Sequence, residues 1–194
     1  MTSPCSWCNL LPPCVRAARS VCWTHEGTGS AIVHALKYGG WHAVARDMSE
    51  RLARLSLLPD RPSERRALVP VPLSPSRARE RGFNQSERLA HFLGDRLGIS
   101  VWDDVLERSR ATATQTRLTA EERQANVSGA FRVRDPRRLR DAHVVLVDDV
   151  VTTAATLNEC AVALVAANTS AVSYVTFGRA PAAADRRTKR DKSI

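Results

Sequence analysis

The sequence predicts an α/β fold with a central, mainly parallel sheet flanked by helices, and three observations predict it. Short apolar runs of strand character, at 67–73, 143–147 and 171–180, are separated by stretches of helical periodicity. The run His143 to Val147 is continuously apolar, as a strand buried on both faces must be. It leads directly into Asp148 and Asp149, and parallel sheets bind their ligands beyond the carboxyl ends of their strands.

The elements are taken in chain order. Residues 1–25 are rich in cysteine, show little periodicity and read as a separate small segment. Residues 28–57 read as helical, with Ile32, Val33 and Leu36 on one face, an interruption at Gly39-Gly40, and a second stripe of Val44, Met48, Leu52 and Leu55. The polar stretch at 59–66 connects to a short strand at 67–73. Asn84 to Leu97 reads as a helix whose stripe is Leu89, Phe92, Leu93 and Leu97, with Gly98 past its end. Residues 99–109 read as a short strand and a turn. Thr119 and Glu122 form a capping-box pattern for a short helix. FRVRDPRRLRDA at 131–142 carries strand and turn signals. After the strand at 143–147, a helix is expected from about Ala154 to Ala167, then a strand at 171–180. Residues 26–180 thus form the main domain, and 181–194 a basic tail of the kind that stays unstructured.

The chain has 194 residues with 43% hydrophobic content, enough to pack the core of one ordinary domain. No run approaches the ~18 apolar residues of a membrane helix, so no membrane insertion is expected. The N-terminus lacks the basic start and apolar middle of a secretory signal, so a cytoplasmic protein is expected. The net charge of +9, dominated by arginine, favours an anionic partner, because the guanidinium fork can grip two oxygens at once.

Two carboxylates at a strand end can hold a divalent metal, accept a phosphoryl group, or accept hydrogen bonds from the vicinal hydroxyls of a ribose. The next residues in the chain narrow the choice. Thr152, Thr153, Ala154, Ala155 and Thr156 place hydroxyls and backbone N–H groups at a helix start, where an anion is favoured. A ribose 5-phosphate suits both halves. A phospho-accepting domain would need several strand–helix units after its acidic pair, and too little chain remains. Asp103 and Asp104 in VWDDVL serve as a control: no hydroxyl-rich helix start comes after them, and they read as a turn. A second anion-binding pattern lies in SPSRARERGFNQ at 74–85. There Arg77, Arg79 and Arg81 alternate along a loop and could collect an anion larger than one phosphate, such as pyrophosphate.

VVLVDDVVTTAAT resembles the ribose-phosphate signature of type I phosphoribosyltransferases, which bind 5-phosphoribosyl 1-pyrophosphate (PRPP). It departs from that signature at Ala154, where the family usually has glycine. VPVPLSPSRARERGFNQSERLA at 69–90 resembles the hallmark of the competence protein F (ComF/GntX) family, and HALKYGG at 34–40 and RATATQTRLTAEERQANVSGAF at 110–131 resemble further elements of it. The resemblance spans about residues 26–178. It implies a type I phosphoribosyltransferase-like fold with a small hood, PRPP binding with Mg²⁺, and a role in natural transformation that handles single-stranded DNA. A DNA-uptake helicase or other competence proteins would be partners.

Carried over by motif, Asp148 and Asp149 would take the ribose hydroxyls. Thr152, Thr153, Ala154, Ala155 and Thr156 would cradle the 5′-phosphate, Arg77 and Arg81 would face pyrophosphate, and Lys37 would touch an anion. Gln115 and Arg123 would close over the site from the hood. No residue stands out as a general base, so transferase activity is left open.

Members of that family often begin with a four-cysteine zinc knuckle. Here Cys5 and Cys8 form a clean C-x-x-C pair, and in a cytoplasmic protein such spacing points to Zn²⁺. Cys14 and Cys22 would complete the set, with His25 as an alternative fourth ligand. Two other functions fit the sequence: a nucleobase-salvage phosphoribosyltransferase, and a non-catalytic scaffold on which Trp7, Trp23 and Trp41 stack single-stranded nucleic acid.

Overall fold

A computed structural model of the chain describes residues 11–24, 27–38, 42–55, 64–110 and 119–180. Its centre is a four-stranded, wholly parallel sheet in the order β1-β6-β5-β2, formed by β1 (Val15–Trp23), β2 (Arg66–Pro70), β5 (His143–Val151) and β6 (Ala171–Arg179). A separate antiparallel pair joins β3 (Leu106–Arg108) to β4 (Phe131–Val133).

The side-chain alternation of β5 divides the interior in two. Val145 and Val147 pack with α1 (Thr28–Tyr38), α2 (His42–Ala53) and α4 (Gln85–Leu97) on one face. Val144 and Leu146 pack on the other with α7 (Ala155–Ala166) and with residues of β3, β4 and α5 (Ala120–Val127). Strands covered on both faces need no polar alternation, which is why β5 reads as one apolar run.

Local signals set the helices. Asn84 caps α4 by accepting from Ser86 N, and Gly98 ends it in the left-handed conformation. Thr119 and Glu122 form the expected capping box on α5. The proline-led turn before β5 is a short helix, α6 (Pro136–Leu139), capped by Asp135.

Three expectations are corrected. Residues 15–23 are not part of a separate segment: they form β1, whose register pairs Val15 with Val172 and Trp23 with Arg179. The strand carrying the doublet does not stop at Val147. β6 runs on beside it and pairs Asp148 with Thr176 and Val150 with Gly178, while its other neighbour β2 ends at Pro70 opposite Val147. The arginine stretch at 77–81 is not a loop but a short helix, α3 (Pro75–Arg81), capped by Ser74. In a helix, alternate residues diverge instead of sharing a face, and Arg79 is turned out to solvent. The basic tail at 181–194 lies outside the described residues, and among those described no helix is long and apolar enough to cross a membrane.

Candidate functional site

The ladder between β2 and β5 closes with Val71 N donating to Val147 O. Past that point β2 turns away, and a cavity of about 230 Å³ opens over the last residues of β5. Its walls bring together Lys37, Ser74, Arg77, Asp148 and Asp149 with the whole run from Val150 to Leu157. The expected residues Thr152, Thr153, Ala154, Ala155 and Thr156 are therefore in one place with the doublet.

Each carboxylate is tied down by its neighbours. Ser86, in the first turn of α4, donates its hydroxyl to Asp148 Oδ1 at 2.8 Å, and Asp149 N donates to the same oxygen at 2.9 Å. Val150 N donates to Asp149 Oδ1 at 2.8 Å. Lys37 Nζ stands 2.7 Å from Asp149 Oδ2, an ion pair made off the line of a directed hydrogen bond. Burial, together with the adjacent Asp149 charge, pushes the Asp148 carboxyl up to about 7, against the opposing pull of Ser86, the Asp149 amide and Lys37.

The loop after β5 enters α7 through Ala154, which holds the left-handed conformation at φ 60°, ψ 3° and supplies no side-chain cap. The first-turn N–H groups of α7 are left without a capping side chain beside the cavity, which suits an anion. The glycine-to-alanine departure thus leaves the backbone geometry that glycine favours, with strain of about 1–2 kcal/mol on the alanine.

The arginines divide. Arg77 lines the cavity. Among the described residues Arg81 is not part of its wall; Arg81 donates to Gln85 Oε1 at 3.0 Å and lies 5.2 Å from the centroid of the Tyr38 ring. The helical turn carries the Arg81 guanidinium towards α1 and Tyr38. Arg123 of α5, expected to close over the site, donates to Thr152 Oγ1 at 3.2 Å. Gln115 lies outside the described residues.

Sequence reasoning missed Arg108, Ser86 and Gln85, all of which line the cavity. Arg108 sits on β3 with its guanidinium 5.3 Å from the Phe131 ring centroid, and burial pulls it below its ordinary value. A single arginine on a short edge strand carries no pattern of its own, and Ser86 reads only as a polar residue near a helix start. The control pair is structural: Asp103 binds His91 and Asp104 binds Arg138.

Cys14 and Cys22, expected to complete a four-cysteine zinc set, stand towards opposite ends of β1. Cys14 precedes β1 and Cys22 stands near its far end, and an extended chain at about 3.3 Å per residue sets them roughly 26 Å apart. One tetrahedral ion needs its sulfurs about 4 Å from one another. Cys22 instead lies with its thiol 3.6 Å from Phe177 O. Cys5, Cys8 and His25 lie outside the described residues.

Residues 84–194 match the phosphoribosyl transferase domain family. The DNA utilization protein YhgH of Escherichia coli (strain K12) is 37% identical over 179 residues, covering 87% of this chain and 74% of that protein. YhgH of Salmonella typhi is 38% identical over 167 residues, 81% of this chain and 70% of that protein. Competence protein F of Haemophilus influenzae is 37% identical over 116 residues, 56% of this chain and 51% of that protein.

Proposed function

This chain belongs to the ComF family and has its type I phosphoribosyltransferase-like fold, and from that premise we propose that it binds PRPP and acts in DNA uptake or utilisation, in contact with single-stranded DNA. The observation that carries the PRPP reading is the meeting, in one cavity, of a carboxylate pair with an uncapped, threonine-rich helix start. The carboxylates accept from the ribose diol. The amides at the start of α7 and the hydroxyls of Thr152, Thr153 and Thr156 receive the 5′-phosphate. Arg77 and Arg108 stand on the wall for pyrophosphate. The oxygen donors of Asp148 and Asp149 fit Mg²⁺, which when bound would neutralise pyrophosphate charge.

The DNA contact is supported by the names of the relatives and by two exposed aromatics, each with an arginine over its ring. Trp23 is 56% exposed with Arg179 at 4.5 Å from its centroid, and Tyr38 is 59% exposed with Arg81 at 5.2 Å. Such pairs stack bases and attract phosphates. Trp7 and Trp41, the other stacking residues expected from the sequence, lie outside the described residues.

Calorimetry with PRPP and Mg²⁺ tests the core of the reading. The parent should bind, and Asp148→Asn/Asp149→Asn should weaken binding at least about tenfold by removing charged acceptors. Absence of heat from the parent rejects it. Pyrophosphate release on adding a purine or pyrimidine base would establish the salvage enzyme instead. For DNA, the affinity of a labelled single strand should fall linearly with salt on logarithmic axes. Strand binding with no PRPP binding would establish the non-catalytic scaffold.

A further inference from the structure

The hydroxyls of Thr152, Thr153 and Thr156 and the amides at the start of α7 offer a 5′-phosphate neutral donors only. A phosphate monoester carries about two negative charges near neutral pH, and a charge withdrawn from water needs a counter-charge beside it. Four cations line the cavity among the described residues: Lys37, Arg77, Arg108 and Arg123. Lys37 is taken up by Asp149, 2.7 Å away. Arg77 and Arg108 belong together: Arg108 is pulled below its ordinary value chiefly by burial, and the Arg77 charge adds to that pull. The fourth, the half-buried Arg123, comes from the hood helix α5. Its Nη1 donates to Thr152 Oγ1 at 3.2 Å. A threonine hydroxyl has one proton to give and lone pairs with which to accept. By accepting from Arg123, Thr152 keeps its own proton for an anion, and the guanidinium stands next to the place that anion takes. Helix α5 is itself held on α7, where Glu159 accepts from Gln124 Nε2 at 3.3 Å and from Gly129 N at 3.1 Å.

We propose that Arg123 is a ligand of the 5′-phosphate, and that this phosphate joins the hood to the end of the sheet. This rests on the PRPP reading and deepens it, because it makes the cavity selective for sugars phosphorylated at the 5-position. A bond from a guanidinium to a phosphate oxygen is about twice as strong as one from a neutral donor. Thr152 lies on the loop after β5 and Arg123 on α5, so one phosphate is gripped from two elements at once. Its binding fixes α5 against the loop. A ligand without that phosphate, such as pyrophosphate held by Arg77 and Arg108, leaves α5 as it was.

The test is calorimetry of the full chain with PRPP, ribose 5-phosphate and inorganic pyrophosphate, each with Mg²⁺, on the parent, Arg123→Gln and Arg123→Lys. Arg123→Gln should bind PRPP and ribose 5-phosphate about tenfold more weakly, and pyrophosphate within about twofold of the parent. Arg123→Lys keeps the charge and should recover part of the loss. A circular-dichroism melt of each variant reports folding separately. Hydrogen exchange on the parent needs no substitution: ribose 5-phosphate should slow exchange at the amides of α5, and pyrophosphate should not. If the parent binds neither PRPP nor ribose 5-phosphate, the PRPP reading fails and this role with it. If the parent binds both and Arg123→Gln matches it, the role of Arg123 is overturned while the PRPP reading stands. An equal loss for all three ligands overturns it too, because Arg123 then shapes the cavity as a whole. Exchange in α5 that ignores ribose 5-phosphate removes the bridge between hood and sheet.

Discussion

At the scale of the residue, Asp148 carries opposing demands. Burial and the adjacent Asp149 raise its folded-state carboxyl to about 7 from an ordinary 3.8, so ionising it costs folding free energy. The sign comes from proton counting: between those values the folded chain holds a proton that the unfolded chain has lost, so this contribution to stability is present at low pH and disappears as pH rises through about 7. Asp148→Asn should therefore stabilise the protein at pH 8 by about 1–2 kcal/mol, after allowance for solvent screening, even as it impairs PRPP binding. Paired thermal melts at about pH 8 and pH 5 check this, and a variant less stable than the parent at pH 8 contradicts it. The doublet and its threonines were legible because they form a pattern: acid pair, hydroxyls, helix start. The partners that tune them were not. Ser86 and Arg108 arrive from elements distant in sequence, and only the fold brings them to one cavity with Lys37, whose pairing with Asp149 the sequence did not show.

At the scale of the element, α4 joins site and scaffold. Its first turn holds Asp148 through Ser86, and Asn84 Nδ2 donates to Val71 O, tying the helix start to the end of β2. Further along, Gly94 lets the segment after the helix lie directly against it. A methyl there would come within 2.7 Å of both Ile99 O and Val101 Cγ2. That segment bridges to Leu68 of β2, with Leu68 N donating to Ser100 O. Gly94→Ala should consequently cost about 1–3 kcal/mol by urea denaturation, despite the higher helix propensity of alanine. A neutral or stabilising result would show that the segment yields freely. Helices α1, α2, α4 and α5 were legible from stripes and caps. β1 was not, because it alternates poorly between buried and exposed positions, and its cysteines drew attention to metal chemistry instead.

At the scale of the whole molecule, the end of the sheet opposite the cavity is closed by a polar cluster built on the buried His143. His143 is fully buried, with Nδ1 3.0 Å from Glu64 Oε2 and Nε2 2.9 Å from Ser173 Oγ, and Arg16 Nη1 lies 2.7 Å from Glu64 Oε1. The cluster links β1, the entry to β2, β5 and β6. Burial alone would raise Glu64, but its bonds with Arg16 and His143 outweigh that and hold it below the ordinary carboxylate value. Burial holds His143 below the ordinary imidazole value, so the ring stays neutral. Both groups lose their stabilising form on acidification: Glu64 must gain a proton, and the unfolded state takes up the proton that buried His143 refuses. Glu64→Gln should lower stability at pH 7 by about 1–3 kcal/mol and flatten the fall below pH 6. Denaturant melts across that range measure both, and an unchanged acid limb would remove Glu64 from the account. The parallel sheet was legible in the alternation of apolar runs with helices, whereas strand order was not, since it depends on which distant partner each edge accepts.

That order has a consequence for how the chain is made. β6 lies between β5 and β1, so among the described strands β1 has its partner only once Val172 and the rest of β6 have been synthesised. The growing polypeptide must carry an unpaired first strand past most of its own translation, and closing so long a loop is slow. A chain truncated before β6 should therefore leave β1 without this partner and aggregate more readily than the parent, which light scattering on refolding would measure.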